Sequence, residues 1–177
     1  IKDVLNRLET SSKGQVLMAC GTGKTLTSLW IKERLNPENT LVLLPSLSLL
    51  SQTLKEWNKA AKEQFKWICV CSDKSVAKKD RNDDEWITNT SEIGVPVTGE
   101  LIDIKKFILE KGSKIIFSTY QSSQLIAEVQ KDLNVPEFDI IFADEAHRCA
   151  GKVSSAFGCV LDEKKIRSKK RLFFTAT

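Results

Sequence analysis

A lysine and a threonine that directly follow two closely spaced glycines are the residues of this sequence best suited to chemistry. Gly21, Gly23, Lys24 and Thr25 lie between an apolar run and a segment with helical spacing. Strand, glycine turn, Lys-Thr and helix is the layout of a nucleotide phosphate loop. Glycines let backbone N–H groups surround phosphate oxygens, and the first turn of the following helix adds further unpaired N–H groups. We therefore predict nucleotide binding at these four residues and at Thr22.

The side chains of this loop have separate predicted roles. Lys24 is expected to reach the β- and γ-phosphates, and the Thr25 hydroxyl is expected to bind Mg²⁺. Met18 occupies the position at which the general pattern begins with glycine. A glycine-rich turn between a strand and a helix is the alternative interpretation, but Lys-Thr in register favours a nucleotide site.

A second candidate site is an acidic pair at the end of an apolar segment. Asp144 and Glu145 follow the segment 138–143, which has the character of a buried strand. An aspartate at such a strand end is expected to hold Mg²⁺, and the neighbouring glutamate to polarise an attacking water. The alternative is a helix N-terminus, where Asp-Glu is common in the first turn. Together with Lys24, the pair predicts nucleotide hydrolysis.

These residues need secondary structure that brings them to one place. Apolar segments with strand character alternate with segments of helical periodicity, which predicts an α/β domain with a parallel sheet covered by helices on both faces. Ligands of such sheets bind at the carboxyl ends of the strands. The glycine turn and the acidic pair both fall at such ends, as do Pro45-Ser46, Thr119 and Thr175. The predicted strands are 16–19, 40–44, 67–71, 113–118, 138–143 and 171–177, and the predicted helices are 1–8, 26–35, 47–65, 101–109 and 125–133.

The composition is that of one globular domain. The chain has 177 residues, of which 41% are hydrophobic and 28% charged. No apolar run approaches the roughly 20 residues that cross a bilayer, so we expect no membrane contact. Five cysteines without a C-x-x-C pair indicate reduced thiols and a cytoplasmic location, and a single histidine, His147, argues against a zinc site. The net charge of +4 favours a polyanionic partner.

Two charged segments interrupt the alternation. Residues 73–100 carry four basic and seven acidic side chains with little periodicity, which predicts an irregular surface insertion. Its net charge of −3 argues against a main role in nucleic-acid contact. Residues 164–171 form a basic run before the last strand. We interpret this run as a solvated connector, with a nucleic-acid binding surface as the alternative.

In its motifs and their order, the chain resembles the first RecA-like domain of a superfamily 2 helicase with a DEAH box. Residues 19–25 resemble motif I, 144–147 (Asp-Glu-Ala-His) resemble motif II, and 175–177 (Thr-Ala-Thr) resemble motif III. Residues 44–52 resemble motif Ia, and 118–122 resemble motif Ib. The five motifs come in the family's order and extend over nearly the whole chain. The restriction-enzyme branch, in which motif I often starts with a larger residue than glycine, is the most similar.

This resemblance implies ATP and Mg²⁺ as cofactors and duplex DNA as the nucleic acid along which the protein moves. It assigns phosphate binding to Lys24, Mg²⁺ binding to Thr25 and Asp144, and positioning of the water to Glu145. The residues implied to couple the nucleotide state to the nucleic acid are His147, Thr175 and Thr177. Those implied to lie beside the phosphodiester backbone are Pro45, Ser46, Thr119 and Gln121.

The resemblance also implies a partner domain. A second RecA-like domain with an arginine finger would follow Thr177, so we expect this chain to be part of a larger motor. A DEAH-box RNA helicase is one alternative, and a phosphate-loop kinase or a nucleotide-gated binding module is another. Tyr120-Gln121 in motif Ib favours the DNA branch. Motif III disfavours a kinase, and Glu145 disfavours a module without hydrolysis.

Overall fold

Strands and helices alternate along the chain in a computed structural model that describes residues 1–19, 21–72, 96–145 and 162–175. The strands are β1 (Lys13–Leu17), β2 (Asn39–Leu44), β3 (Lys66–Val70), β4 (Val97–Thr98), β5 (Lys114–Thr119), β6 (Phe138–Ala143) and β7 (Ser168–Thr175). The helices are α1 (Lys2–Thr10), α2 (Lys24–Leu35), α3 (Leu47–Ala60), α4 (Leu101–Leu109) and α5 (Ser123–Val129).

The strands of the described residues form one parallel sheet in the order β1-β7-β6-β2-β5-β3-β4. Because every pair is parallel, all strands end at the same edge, which we call the carboxyl edge, and begin at the opposite amino edge. Strand β2 lies between β6 and β5, and β7 lies between β1 and β6. The order therefore brings the ends of β1, β7, β6, β2 and β5 side by side.

The central strands are buried on both faces, as their continuous apolar runs predict. Every residue of β2 and β5 is buried, and alternate side chains of β2 point to opposite layers. Val42 and Leu44 pack in a cluster with residues of α2 and α3, whereas Leu41 and Leu43 pack in a second cluster with residues of α4 and α5. The sheet is thus covered by helices on both faces, and the predicted α/β fold class is confirmed.

Trp57 of α3 is the largest fully buried side chain among the described residues, and it packs in the cluster that contains Val42 and Leu44. Its ring makes edge-on contacts with Phe117 of β5 and Phe142 of β6, with centroid distances of 5.5 and 6.1 Å. Such aromatic pairs add about 0.5–1.5 kcal/mol beyond the burial of area. Trp57 therefore packs α3 against β5 and β6, the two strands that end at Thr119 and Ala143.

The boundaries differ from those expected at a few places. Helix α3 was expected to reach residue 65 but ends at Ala60, because Ala61 is extended and the Lys62 N–H donates to the Glu33 carboxylate. Strand β7 starts within the basic run, and β4 pairs with β3 at the end of the segment predicted to be irregular. The rest of that predicted insertion, residues 73–95, lies outside the described residues. None of the helices in the described ranges combines the length and apolarity that a membrane crossing requires.

Candidate nucleotide-binding and hydrolysis site

The phosphate loop connects β1 to α2 at the carboxyl edge. Gly21 and Gly23 have φ angles of 75° and 88°, in the left-handed region that favours glycine. An added Cβ would meet no atom within 4 Å at either position. Glycine is therefore favoured at these positions by the backbone conformation and not by lack of space. The Thr22 N–H and hydroxyl both donate to the Ala19 carbonyl, at 3.3 and 2.7 Å. The loop is therefore closed by its own hydrogen bonds, and Gly23 caps the start of α2.

Lys24 and Glu145 meet across this loop. The Lys24 Nζ lies 2.5 Å from the Glu145 Oε1, and the two side chains are 11% and 15% exposed. Charges that are largely withdrawn from water interact more strongly than a surface pair does. The two residues are 121 positions apart in the sequence. A phosphate held by Lys24 would consequently lie beside the Glu145 carboxylate.

The acidic pair continues directly from β6. The Asp144 N–H donates to the Leu43 carbonyl of β2 at 2.9 Å, which extends the ladder between the two strands. The Asp144 Oδ1 accepts the Glu145 N–H at 2.9 Å. Glu145 has a φ of 50°, a left-handed conformation that costs a residue with a Cβ about 1–2 kcal/mol. Strain of this kind is typical of functional sites, where the surrounding structure enforces it.

The two predicted Mg²⁺ ligands share one small pocket. Thr25 and Asp144 line it together with Lys24, and its floor is formed by apolar side chains of β2, β6 and β7. Hydroxyl and carboxylate oxygens are hard donors that suit Mg²⁺, which usually keeps few protein ligands and adds phosphate oxygens and waters. In the described ranges no cluster of three or more His, Cys, Asp or Glu side chains could hold a metal. The donor set therefore fits Mg²⁺ bound together with a nucleotide.

The family model for the res subunit of type III restriction enzymes, ResIII, matches residues 1–177. This chain belongs to the ResIII family. The match extends from the residue before α1 to motif III, so it includes both halves of the site. The predicted membership of the restriction-enzyme branch of superfamily 2 is thereby confirmed.

Relatives of this ResIII domain occur in African swine fever virus. A protein named Probable helicase A859L is 31% identical over 172 residues, which are 96% of this chain and 18% of the viral protein. The same protein of another isolate is 33% identical over 171 residues, with the same shares. The chain thus spans less than a fifth of the length of these relatives.

Two solved structures resemble the ResIII domain closely. An "ATP-dependent Type ISP restriction-modification enzyme LlaBIII bound to DNA" gives a TM-score of 0.82 at 32% identity, with 98% of this chain and 12% of that chain covered. A nuclease-deletion mutant of the Type ISP enzyme LlaGI, in complex with a DNA substrate mimic, gives 0.77 at 34% identity, with 99% and 16% covered. These likenesses confirm the predicted RecA-like α/β fold.

Trp57 supports the phosphate loop of the ResIII domain in a way that the sequence pattern did not reveal. Its Nε1 donates to the Thr25 carbonyl at 2.9 Å, and the Ser28 hydroxyl donates to the same carbonyl at 2.8 Å. The helical periodicity of residues 47–65 indicates that Trp57 lies on the apolar face of α3, but it does not show what the indole contacts. A buried indole N–H needs an acceptor, which was the available signal, but the sequence could not identify that acceptor.

The residues predicted to lie beside nucleic acid occupy different positions. Pro45 and Ser46 join β2 to α3, and the Ser46 hydroxyl caps α3 by accepting the Leu49 N–H at 3.3 Å. Gln121 is exposed in the turn after β5. Thr119 is only 4% exposed, and its hydroxyl lies 2.9 Å from that of Ser122. The Thr119 hydroxyl is thus hydrogen-bonded inside this turn, and its contact with phosphate stays a prediction.

The predicted coupling residues are only partly within the described ranges. Thr175 is buried at the end of β7, and its carbonyl accepts the Met18 N–H at 3.2 Å. This bond places motif III beside the start of the phosphate loop. His147 and Thr177 lie outside the described residues, so their coupling roles stay predictions.

The basic run is a solvated connector only in its first part: Lys164 and Lys165 are exposed in the turn before β7, whereas residues 168–171 belong to the strand. Its residues lie before or within β7, near the amino edge, and several of them are hydrogen-bonded to the protein itself. Arg167 donates to the carbonyls of Gln130, Asp132 and Val135, and Lys170 donates to the Leu8 carbonyl. The Arg171 guanidinium is buried against the Ile166 carbonyl, and burial lowers its pKa. These side chains therefore stabilise the fold, at the edge opposite to the phosphate loop.

Proposed function

We propose that this ResIII domain binds and hydrolyses ATP as the motor domain of a DNA helicase or translocase of the restriction–modification type. The observation that carries the proposal is the meeting of Lys24 and Glu145, with Thr25 and Asp144 in the adjoining pocket. A phosphate-binding cation and a carboxylate that can orient water thus lie at one point of the carboxyl edge. This is the arrangement that hydrolysis of a phosphoanhydride requires.

The residues act in sequence during turnover. The backbone N–H groups of the loop and of the first turn of α2 hold the phosphates, and Lys24 exchanges its bond to Glu145 for one to the β- and γ-phosphates. The released Glu145 carboxylate then orients a water against the γ-phosphorus. The bond from the γ-phosphorus to the bridging oxygen breaks, and the proton of the water passes through Glu145 to solvent. ADP and inorganic phosphate are the products.

Mg²⁺ would be held by the Thr25 hydroxyl and the Asp144 carboxylate. When bound, the ion neutralises the charge of the phosphate oxygens. The protein side chains around it keep the pocket small, because apolar residues of three strands close its floor.

We assign duplex DNA as the track and a second RecA-like domain of the same protein as the partner. The two similar solved structures are of Type ISP enzymes with DNA or a DNA mimic, and this chain covers 12% and 16% of them. Ser46 and Gln121 lie at the carboxyl edge with polar side chains, which suit contacts to phosphates that position the DNA without reading its sequence. As a restriction–modification motor, the protein would act in the cytoplasm.

The test is ATP hydrolysis by the full-length protein with duplex DNA, single-stranded DNA, RNA or no nucleic acid. We expect the largest stimulation with duplex DNA and no turnover in the Lys24→Ala variant. If RNA stimulated hydrolysis most strongly, the protein would be an RNA helicase and not a DNA motor. Nucleotide binding without hydrolysis under all four conditions would contradict the motor function altogether.

A further inference from the structure

Tyr120 connects the turn after β5 to the acidic pair after β6. Its ring is buried in the layer below α4 and α5, and its N–H donates to the Leu44 carbonyl of β2 at 3.0 Å. Its hydroxyl donates to the Asp144 carbonyl at 2.7 Å. Since β2 lies between β5 and β6, the tyrosine reaches across the end of the middle strand. One residue, through its backbone N–H and its hydroxyl, thereby joins the ends of three neighbouring strands.

The hydroxyl acts on the peptide unit between the two acidic residues. That unit consists of the Asp144 carbonyl and the Glu145 N–H. The carbonyl accepts the Tyr120 hydroxyl, and the N–H donates to the Asp144 Oδ1. Hydrogen bonds thus hold the peptide plane from both sides, and Glu145 is kept at its left-handed φ of 50°. Because such a conformation is unfavourable for glutamate, loss of either bond would let the peptide rotate and the carboxylate move.

The other end of Tyr120 belongs to the turn that carries Gln121. The Tyr120 carbonyl accepts the Ser123 hydroxyl at 2.6 Å and the Ser123 N–H at 3.1 Å. Gln121, the exposed residue of this turn, therefore follows a residue that is fixed by its ring, its N–H, its carbonyl and its hydroxyl. A shift of the turn on contact with DNA would move the Tyr120 hydroxyl and, through it, the Asp144–Glu145 peptide.

We propose that Tyr120 is a positioning residue that transmits the contact of DNA with the turn after β5 to the Glu145 carboxylate. This inference rests on the proposed function, because it concerns the coupling of DNA to ATP hydrolysis at that site. Tyr120 is only 2% exposed, so it acts through the Asp144–Glu145 peptide and not by direct contact with nucleotide or DNA. Its effect on turnover therefore depends on Glu145.

The test is Tyr120→Phe in the full-length protein, which keeps the buried ring and removes only the hydroxyl. DNA-stimulated kcat should fall roughly tenfold, the scale of one hydrogen bond to a partly buried carbonyl. The affinity for ATP, measured with a fluorescent analogue, and the DNA concentration of half-stimulation should both stay within about twofold of wild type. Ser113→Ala is the control, since it removes a hydroxyl that donates to a backbone carbonyl, that of Pro37, at the amino edge, far from Tyr120. It should leave kcat within about twofold.

A double-mutant cycle separates positioning from general support of the fold. In the Glu145→Gln background, Tyr120→Phe should change the residual single-turnover rate by less than about twofold, because the group through which it acts is gone. A further tenfold loss in that background, a loss of ATP affinity, or wild-type kcat in Tyr120→Phe would overturn the proposal. The proposed motor function has a separate test, because it fails only if the wild-type protein does not hydrolyse ATP with DNA.

Discussion

The two edges of the sheet both carry charged side chains but use them differently. At the carboxyl edge, Lys24 and Glu145 face each other across the phosphate loop, 2.5 Å apart. At the amino edge, three basic side chains are directed at backbone carbonyls near the C-terminal ends of helices. Lys114 donates to the carbonyls of Glu110 and Gly112 after α4, Arg167 to that of Gln130 after α5, and Lys170 to that of Leu8 in α1.

The direction of the helices explains this difference. In a parallel α/β sheet each helix starts at the carboxyl edge and ends at the amino edge, so unpaired N–H groups collect at one edge and unpaired carbonyls at the other. Unpaired N–H groups attract anions such as phosphate. Unpaired carbonyls attract cations, which the chain itself supplies as Lys and Arg side chains. The basic residues of the amino edge are therefore already satisfied within the fold.

The comparison shows that the density of charge does not by itself identify a nucleic-acid or nucleotide site. The run 164–171 has the highest local concentration of basic residues, yet burial lowers the pKa of Arg171, and the bond to Asp139 raises that of Lys169. At the carboxyl edge one lysine suffices, because the surrounding backbone N–H groups reinforce it. Variants matched across the two edges test this distinction.

The largest effect is expected from Lys24→Ala. Lys24 is the one cation among the described residues that line the pocket, and its loss should lower ATP affinity by about 10² and abolish measurable turnover. The matched variant is Lys170→Ala at the amino edge, which should leave ATP affinity unchanged. Titration of a fluorescent ATP analogue into both full-length variants gives the result. Equal affinities in the two would remove Lys24 from the site.

Glu145→Gln should separate binding from hydrolysis. The amide cannot accept a proton from water, so turnover should fall by about 10² or more, on the scale of a general base. ATP affinity should be retained or rise, because Lys24 loses its ionic partner. Glu110→Gln, a glutamate at the amino edge paired with Lys66, is the control with wild-type turnover. Persistent hydrolysis in Glu145→Gln would make this residue a helix cap.

Asp139→Ala should affect stability and leave the site intact. The Asp139 Oδ2 accepts the N–H groups of Glu38 and Asn39, both at 2.9 Å, and the Oδ1 pairs with Lys169. Removal of the carboxylate leaves two N–H groups without this acceptor, which should cost about 1–3 kcal/mol of unfolding free energy. Urea denaturation measures the loss, and an unchanged ATP affinity in the same variant confines the effect to the amino edge.

The contribution of Asp139 should also depend on pH. Burial raises the pKa of its carboxyl, but hydrogen bonds from Lys169 and the Asn39 N–H outweigh burial, so the pKa in the folded protein lies below the ordinary value. Because the pKa is lower in the folded protein, the ionised carboxylate stabilises the fold, and this stabilisation is fully present at pH values above the pKa of Asp139 in the unfolded chain. This stabilisation is lost as the pH falls through the folded-state pKa. The difference in unfolding free energy between wild type and Asp139→Ala should therefore shrink on acidification. A difference that stays constant with pH would mean that Asp139 stabilises the fold by packing and not by its charge.

The smallest effect is expected from Gln121→Ala. A neutral amide contact with a DNA phosphate should contribute about 0.5–1.5 kcal/mol, so the apparent affinity for duplex DNA should weaken by a few-fold. Each ionic contact adds about 0.9 to the log–log salt slope, whereas this amide releases no counterion, so the slope should stay unchanged. Gln64→Ala, an exposed glutamine before β3 at the amino edge, is the control. If Gln64→Ala weakened binding and Gln121→Ala did not, the DNA path would lie at the other edge.

The sequence by itself determined the elements and the chemistry of the phosphate loop. The strand predicted at 138–143 and the helix predicted at 101–109 match the observed bounds, because a continuous apolar run and a helical period are local properties. Gly21 and Gly23 adopt the left-handed conformations that their residue type allows. Lys24 and Thr25 begin α2, and Asp144 and Glu145 directly follow β6, for the same local reasons. The class of domain followed from these motifs and their order.

Tertiary structure alone decided which of these groups touch. Lys24 and Glu145 are 121 residues apart, and their contact depends on the order in which the strands lie side by side. The bond from Tyr120 to Asp144 exists only because β5 and β6 flank the same strand. The inward position of the Thr119 hydroxyl and the use of the basic run at the amino edge have the same origin. Periodicity reports whether a side chain faces an interior, but the lateral order of strands arises from packing between distant segments.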